Sequence, residues 1–229
     1  MDRRRKSDGL GPKSTQSFSV LSQPLGNRRE VSFSAYALLF SEIVQYSRKR
    51  VRSTTGLEEK LNDIGRRVGS RALELVAIRE KVPTRSTKVL QILSFVFNPV
   101  WKFLFGKQPE NLRKVSESES SYFIEERDPL VNTFVSVPED YGSMNCAAFV
   151  AGIIAGVLES AGFPAKVHAY NANDSERTYP PMTLYTIEFS DEVMAREKRP
   201  GKRTMLNILF SVGVFMGTFA LATNTDTLK

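Results

Sequence analysis

The sequence predicts a mixed α/β (α+β) fold, with helices first and strands after. Three observations carry this. Apolar residues recur at helical spacing from residue 32 to residue 105. From 122 to 189 the pattern alternates and is broken by turn residues. Between those strands lies a helix, 146–160, that is apolar almost all round and so must be buried on more than one side.

The first helix spans 32–52. Phe33, Ala37, Phe40, Val44 and Ser47 form one stripe, and Leu38, Leu39 and Ile43 lie off it. A helix apolar beyond one face buries two faces. The second face meets either the chain's own core or a partner chain. On the second alternative the interface residues are Leu38, Leu39, Phe40 and Ile43. Arg48, Lys49, Arg50 and Arg52 complement the macrodipole at the C-terminal end.

The second helix spans 57–81, with Leu57, Leu61, Ile64, Val68, Leu75 and Ile78 at helical spacing. Gly65 and Gly69 sit four apart inside it, each costing about 1 kcal/mol relative to alanine. Two such residues on one face predict another element crossing at close range. Arg71 and Glu74 have the i, i+3 spacing of an ion pair. An anion site at Arg71 is the alternative. A third helix spans 86–105, and Pro99 inside it predicts a kink or split. Residues 106–121 are polar and read as a loop or short helix.

Strands are expected at 122–126, 131–137, 165–170 and 182–189. Asp128-Pro129 turns the chain between the first two. Pro138 ends the second. Ser143 or Asn145 can cap the apolar helix, and Gly162 closes it. AYNANDSERTYPP reads as an insertion between two paired strands. Asp191 to Lys198 forms a short helix at most.

The ends differ from this domain. Residues 1–29 are basic and polar, with Arg3, Arg4, Arg5 and Lys6 clustered, and have the composition of a disordered tail. A nuclear signal or an anionic-lipid contact also fits that cluster. No apolar leader is present, so secretion is not expected. Residues 199–229 form an extension. Met205 to Thr223 is a run of 19 residues without charge, near the length that crosses a bilayer. Basic residues precede it, as in a tail anchor. Docking on the domain, or a terminus from an incorrect exon, are the alternatives.

Composition narrows the chemistry. The net charge of +7 suggests acidic partners. No nucleic-acid motif accompanies the basic runs, so nucleic acid is not expected. One cysteine, Cys146, excludes an internal disulfide framework. It lies in the apolar helix and reads as packing. One histidine, His168, has no companions at ligand spacing, so no metal site is expected. Glu125, Glu126, Asp128 and His168 form no convincing acid–base constellation. No catalytic, cofactor or metal residue is assigned.

Five segments in order carry a resemblance. They are EVSFSAYALLFSEIVQY (30–46), GRRVGSRALEL with its G-x-x-x-G-x-R-x-x-E (65–75), WKFLFGK (101–107), ERDPLVNTFVSVP (126–138) and NCAAFVAGIIAGVLESAGFPAKV (145–167). Together they resemble the TRAPP small-subunit, or Bet-three-like, family over about residues 30–198. The glycine motif alone would be weak. The resemblance implies helices packed on a four-stranded antiparallel sheet, with Gly65, Gly69, Arg71 and Glu74 as its structural motif. It implies a non-catalytic subunit of a vesicle-tethering complex of ER-to-Golgi traffic. That subunit would pair through its first helices with another small subunit and be flanked by a longin-like one. The assembled core would act as a guanine-nucleotide exchange factor for a Rab GTPase. Localisation would be cytoplasmic, peripheral at ER and cis-Golgi membranes. Some members carry an acylated cysteine after the second helix. Residues 80–86 here hold no cysteine, so acylation does not carry over. The alternative function is a stand-alone membrane-binding module, peripheral or tail-anchored, on an anionic surface.

Overall fold

The computed structural model describes residues 31–81, 85–137, 144–172 and 182–199. The expectations for the N-terminal tail, for Ser143, for most of the insertion after residue 172 and for the 205–223 run lie outside the described residues.

Helix α1 (Phe33–Arg48) opens at Ser32, whose Oγ accepts from the Ala35 N–H at 3.3 Å. Helix α2 (Thr54–Arg79) opens the same way at Ser53, whose Oγ accepts from the Gly56 N–H at 3.0 Å. Both helices end short of the sequence expectation. Arg50, beyond α1, still serves its C-terminus by donating to the Tyr46 carbonyl and stacking 3.4 Å over the Tyr46 ring.

The third helix is split where Pro99 predicts. Helix α3 (Val89–Phe95) and helix α4 (Trp101–Phe105) are joined by a π-helical turn, Val96–Val100, that holds the proline. Gly106, at φ +73°, ends α4.

Strands β1 (Asn111–Lys114), β2 (Ser121–Arg127), β3 (Ala165–Asn171) and β4 (Met182–Phe189) form one antiparallel sheet in the order β1-β2-β4-β3. Four antiparallel strands were expected, but one member differs. Residues 131–137 form turn and irregular chain, not a strand. Asp128 at φ +51° and the Pro129 beside it swing the chain away from β2. Both edges of β2 are already taken, by β1 and β4. The alternation read at 131–137 records burial: Val131 is buried and Val135 and Val137 lean on the core. β1 was read as loop because it is short and polar, which suits an edge strand.

Helix α5 (Ala148–Ser160) is the centre of the fold, and every residue from Ala148 to Leu158 is buried. Asn145 Oδ1 accepts from the Ala147 N–H at 2.8 Å at its start. Gly162, at φ +81°, closes it with a Phe163 N–H bond to the Leu158 carbonyl at 2.8 Å. Arg85 donates twice to the Ala161 carbonyl, and Arg196 donates to the Gly162 carbonyl. Two cations thus meet the negative end of the helix. Helix α6 (Asp191–Glu197) follows β4 and supplies Glu197, which accepts from the Val89 N–H at the start of α3.

The close crossing expected at Gly65 and Gly69 is made by α5. A Cβ on Gly65 would fall on the Phe149 carbonyl, and one on Gly69 on the Ile153 carbonyl. The relation is reciprocal. Gly152 faces the Asn62 carbonyl and Gly156 the Arg66 carbonyl. Two helices are therefore in backbone contact through two glycine pairs. Replacing Gly69 or Gly152 by alanine gains about 1 kcal/mol of helix propensity but drives a methyl into immovable backbone. A net loss of about 3 kcal/mol is expected, read as a thermal midpoint lower by about 6–12 °C. An unchanged or raised midpoint would show that the helices do not cross at this range.

Candidate functional site

Helix α1 has two distinct sides. Phe40, 3% exposed, is a core residue, with its ring 5.3 Å from Phe149 and 6.1 Å from Tyr36. It is therefore removed from the interface expected at the sequence level. Ile43 is half-buried against the core. Leu38 and Leu39 are 71% and 62% exposed, and Tyr46 is exposed about two turns further on. At 100° per residue Ala35, Leu38, Leu39, Glu42 and Tyr46 share one side, opposite Phe40 and Ser47. Tyr46 was missed because the sequence reading followed aliphatic residues. Its position seven after Leu39 was the available signal.

Gly65 and Gly69 form the α2–α5 crossing described above. Arg71 and Glu74 are both exposed, and among the described ion pairs none joins them.

A buried carboxylate lies beneath the sheet. Alternation places Tyr122, Ile124 and Glu126 of β2 on the covered face. Glu126 is 1% exposed. It accepts from the Tyr185 hydroxyl at 2.9 Å and the Trp101 indole N–H at 3.4 Å. Lys107 Nζ stands 3.6 Å away and also donates to the carbonyls of Arg127 and Asp128. Burial raises the Glu126 pKa, opposed by the Tyr185 bond and the Lys107 charge. Burial, then the Glu126 charge, pushes Tyr36 up to about 12 and Tyr185 well above its ordinary value. This network ties α4 to β2 and β4. Its signal in the sequence was a glutamate at a strand position whose face is otherwise Tyr and Ile.

The remaining titratable candidates do not converge. Glu125, next to Glu126 in the strand, points to the opposite face of the sheet, where it accepts from Asn111. His168 is exposed on β3 beside Tyr170. Cys146 is buried, and burial pushes its thiol up to about 11, away from reactivity. Among the described residues no three His, Cys, Asp or Glu side chains are grouped to hold a metal ion.

The Glu126 network makes a measurable pH dependence. The folded chain holds that proton more tightly than the unfolded chain. The contribution is full below the ordinary glutamate pKa and is lost as pH rises through the raised folded value. The melting temperature of wild type relative to Glu126→Gln should therefore fall as pH rises above the ordinary glutamate range. A flat difference would contradict the buried, raised carboxyl. Glu126→Leu leaves the Tyr185 hydroxyl and Trp101 N–H without this acceptor and should cost about 2 kcal/mol or more at neutral pH.

Comparison with known proteins places this geometry. The family model described as transport protein particle (TRAPP) component matches residues 36–190. The trafficking protein particle complex subunit 5 of Gallus gallus is 46% identical over 180 residues, covering 78% of this chain and 92% of that protein. Subunit 5 of Dictyostelium discoideum is 44% identical over 179 residues, covering 78% and 96%. Subunit 5 of Homo sapiens is 44% identical over 171 residues, covering 75% and 87%. A solved structure of a trafficking protein particle complex subunit 3 from Naegleria fowleri, covalently bound to palmitic acid, superposes with a TM-score of 0.59. It is 15% identical and covers 69% of this chain and 95% of its own, so the likeness concerns the fold. A family match across the helices and the sheet, with relatives above 40% identity over most of their length, shows that this chain belongs to the TRAPP component family.

Proposed function

We propose that the chain is a non-catalytic subunit of a TRAPP vesicle-tethering particle, with residues 30–198 as its assembly domain. The observation that carries this is the exposed apolar side of α1, Leu38, Leu39 and Tyr46, on a helix anchored by Phe40. Apolar side chains grouped on an exposed helix side gain burial when another chain covers them. The relatives at 44–46% identity are named complex subunits, which supports the same role. On this reading α1 meets a small-subunit partner and a longin-like subunit lies alongside. The assembled particle acts as the exchange factor for a Rab GTPase at ER and cis-Golgi membranes. The chain's part is to hold its neighbours in place.

A membrane contribution has its own support. Arg48 at the end of α1 and Lys49, Arg50 and Arg52 after it are exposed together, which favours an anionic surface. No helix among the described residues is long and apolar enough to cross a membrane.

Co-expression with TRAPP small subunits tests assembly. Leu38→Asp with Leu39→Asp should weaken complex formation by about 100-fold or more. The stability of the isolated chain should shift by no more than about 0.5 kcal/mol per site. Phe40→Ala should do the reverse, costing about 3–5 kcal/mol of stability. Unchanged assembly by the double variant would remove α1 as the contact.

A further inference from the structure

β3 is an edge strand, and no strand among the described residues pairs with its outer edge. The register bonds Ala172 to Met182 through the backbone, and bonded pairs recur at every second residue, so Val167 and Ala169, five and three residues before Ala172, fall out of that phase. Antiparallel geometry then turns the N–H and C=O groups of Val167 and Ala169 away from β4. Among the described residues their partner is Asn62 of α2, whose side-chain amide donates to the Val167 carbonyl at 3.4 Å. Beyond this edge runs a groove of about 460 Å³, bounded by the first half of α2, the start of α5 and β3.

The groove has a sign. Glu59 and Asp63 are exposed on its α2 wall, and among the described residues no ion pair or hydrogen bond engages either carboxylate. Glu58 beside them already accepts from the Asn145 N–H. Of the cations at the groove, Arg66 is held by Glu159 at 3.2 Å. Lys166 lines the groove from β3, across from the α2 wall that carries Glu59 and Asp63. Two unengaged carboxylates thus face an open strand edge on a chain whose net charge is +7.

We propose that this groove binds an extended basic peptide of a partner protein, added to β3 as a fifth strand. Backbone bonds to Val167 and Ala169 hold the peptide, as in other strand additions. Lysine or arginine at alternate positions meets the α2 wall. The spacing fits: alternate residues of a strand are about 6.6–6.8 Å apart, and residues four apart on a helix have Cβ atoms about 5–6 Å apart. A basic residue at every second position can therefore meet Glu59 and Asp63 together. α1 lines no part of this groove, so its partner contact and this one fail independently.

The test uses the full chain and two fluorescein-labelled peptides, Ac-VTKVKVT-NH2 and the same peptide with glutamate for both lysines. Fluorescence anisotropy should show saturable binding of the lysine peptide alone. Hydrogen exchange should slow at the Val167 and Ala169 amides when it binds. Glu59→Gln with Asp63→Gln should weaken it by about fivefold to tenfold. Ala169→Pro removes an outward donor from an edge strand, where proline is tolerated, and should abolish binding with the melting transition retained. Equal binding of the glutamate peptide would overturn the proposal. So would binding indifferent to both variants, or no saturable binding at millimolar peptide.

Discussion

The contact on which the rest of the structure depends is the backbone-to-backbone crossing of α2 and α5. Four glycines, Gly65 and Gly69 on one helix and Gly152 and Gly156 on the other, each face a carbonyl of the opposing helix. No side chain separates the two, so their relative position is set by hard sterics rather than by adaptable packing. Other links are then laid along the same pair. Glu58 holds the Asn145 N–H before α5, Arg66 meets Glu159 near its end, and Asn62 reaches β3. Phe40 stacks α1 onto Phe149 of the same helix. The side of α1 that faces outward is therefore fixed by a crossing it does not itself make.

The interior and the surface do different work. The interior spends its one deeply buried carboxylate on architecture. Glu126 gathers Trp101, Tyr185 and Lys107, so that α4 and two strands share one polar anchor. The surfaces proposed for recognition are the outer side of α1, the basic turn at its end and the edge of β3. Rigid presentation of such surfaces suits a chain that works by being held between others.

Much of this was legible in the sequence. Gly65 and Gly69 announced a close crossing, Pro99 announced the split helix, and Leu38 and Leu39 announced a second side to α1. Each works through local sterics or periodicity, which a sequence displays directly. What was not legible depended on pairing. The alternation at 131–137 reported burial against the core, and β1 is short and polar enough to pass for a loop. Only the occupied edges of β2 decide between them, and those are set by distant residues. Phe40 looked like an interface residue because it neighbours Leu38 and Leu39, although 100° per residue puts it on the other side. Glu126 could be placed on the covered face by alternation, but its partners Trp101 and Tyr185 come from two other elements. The spacing of Gly152 and Gly156 repeats that of Gly65 and Gly69 and was readable as its mate.

The central claim is that this chain functions as part of an assembly. It is tested most directly by mild purification of the chain from its own cells, followed by native mass spectrometry of the eluate. The account predicts a particle well above the mass of a single chain, with other TRAPP subunits in fixed stoichiometry. Recovery of the chain alone as a monomer, with no TRAPP subunit beside it, would contradict it.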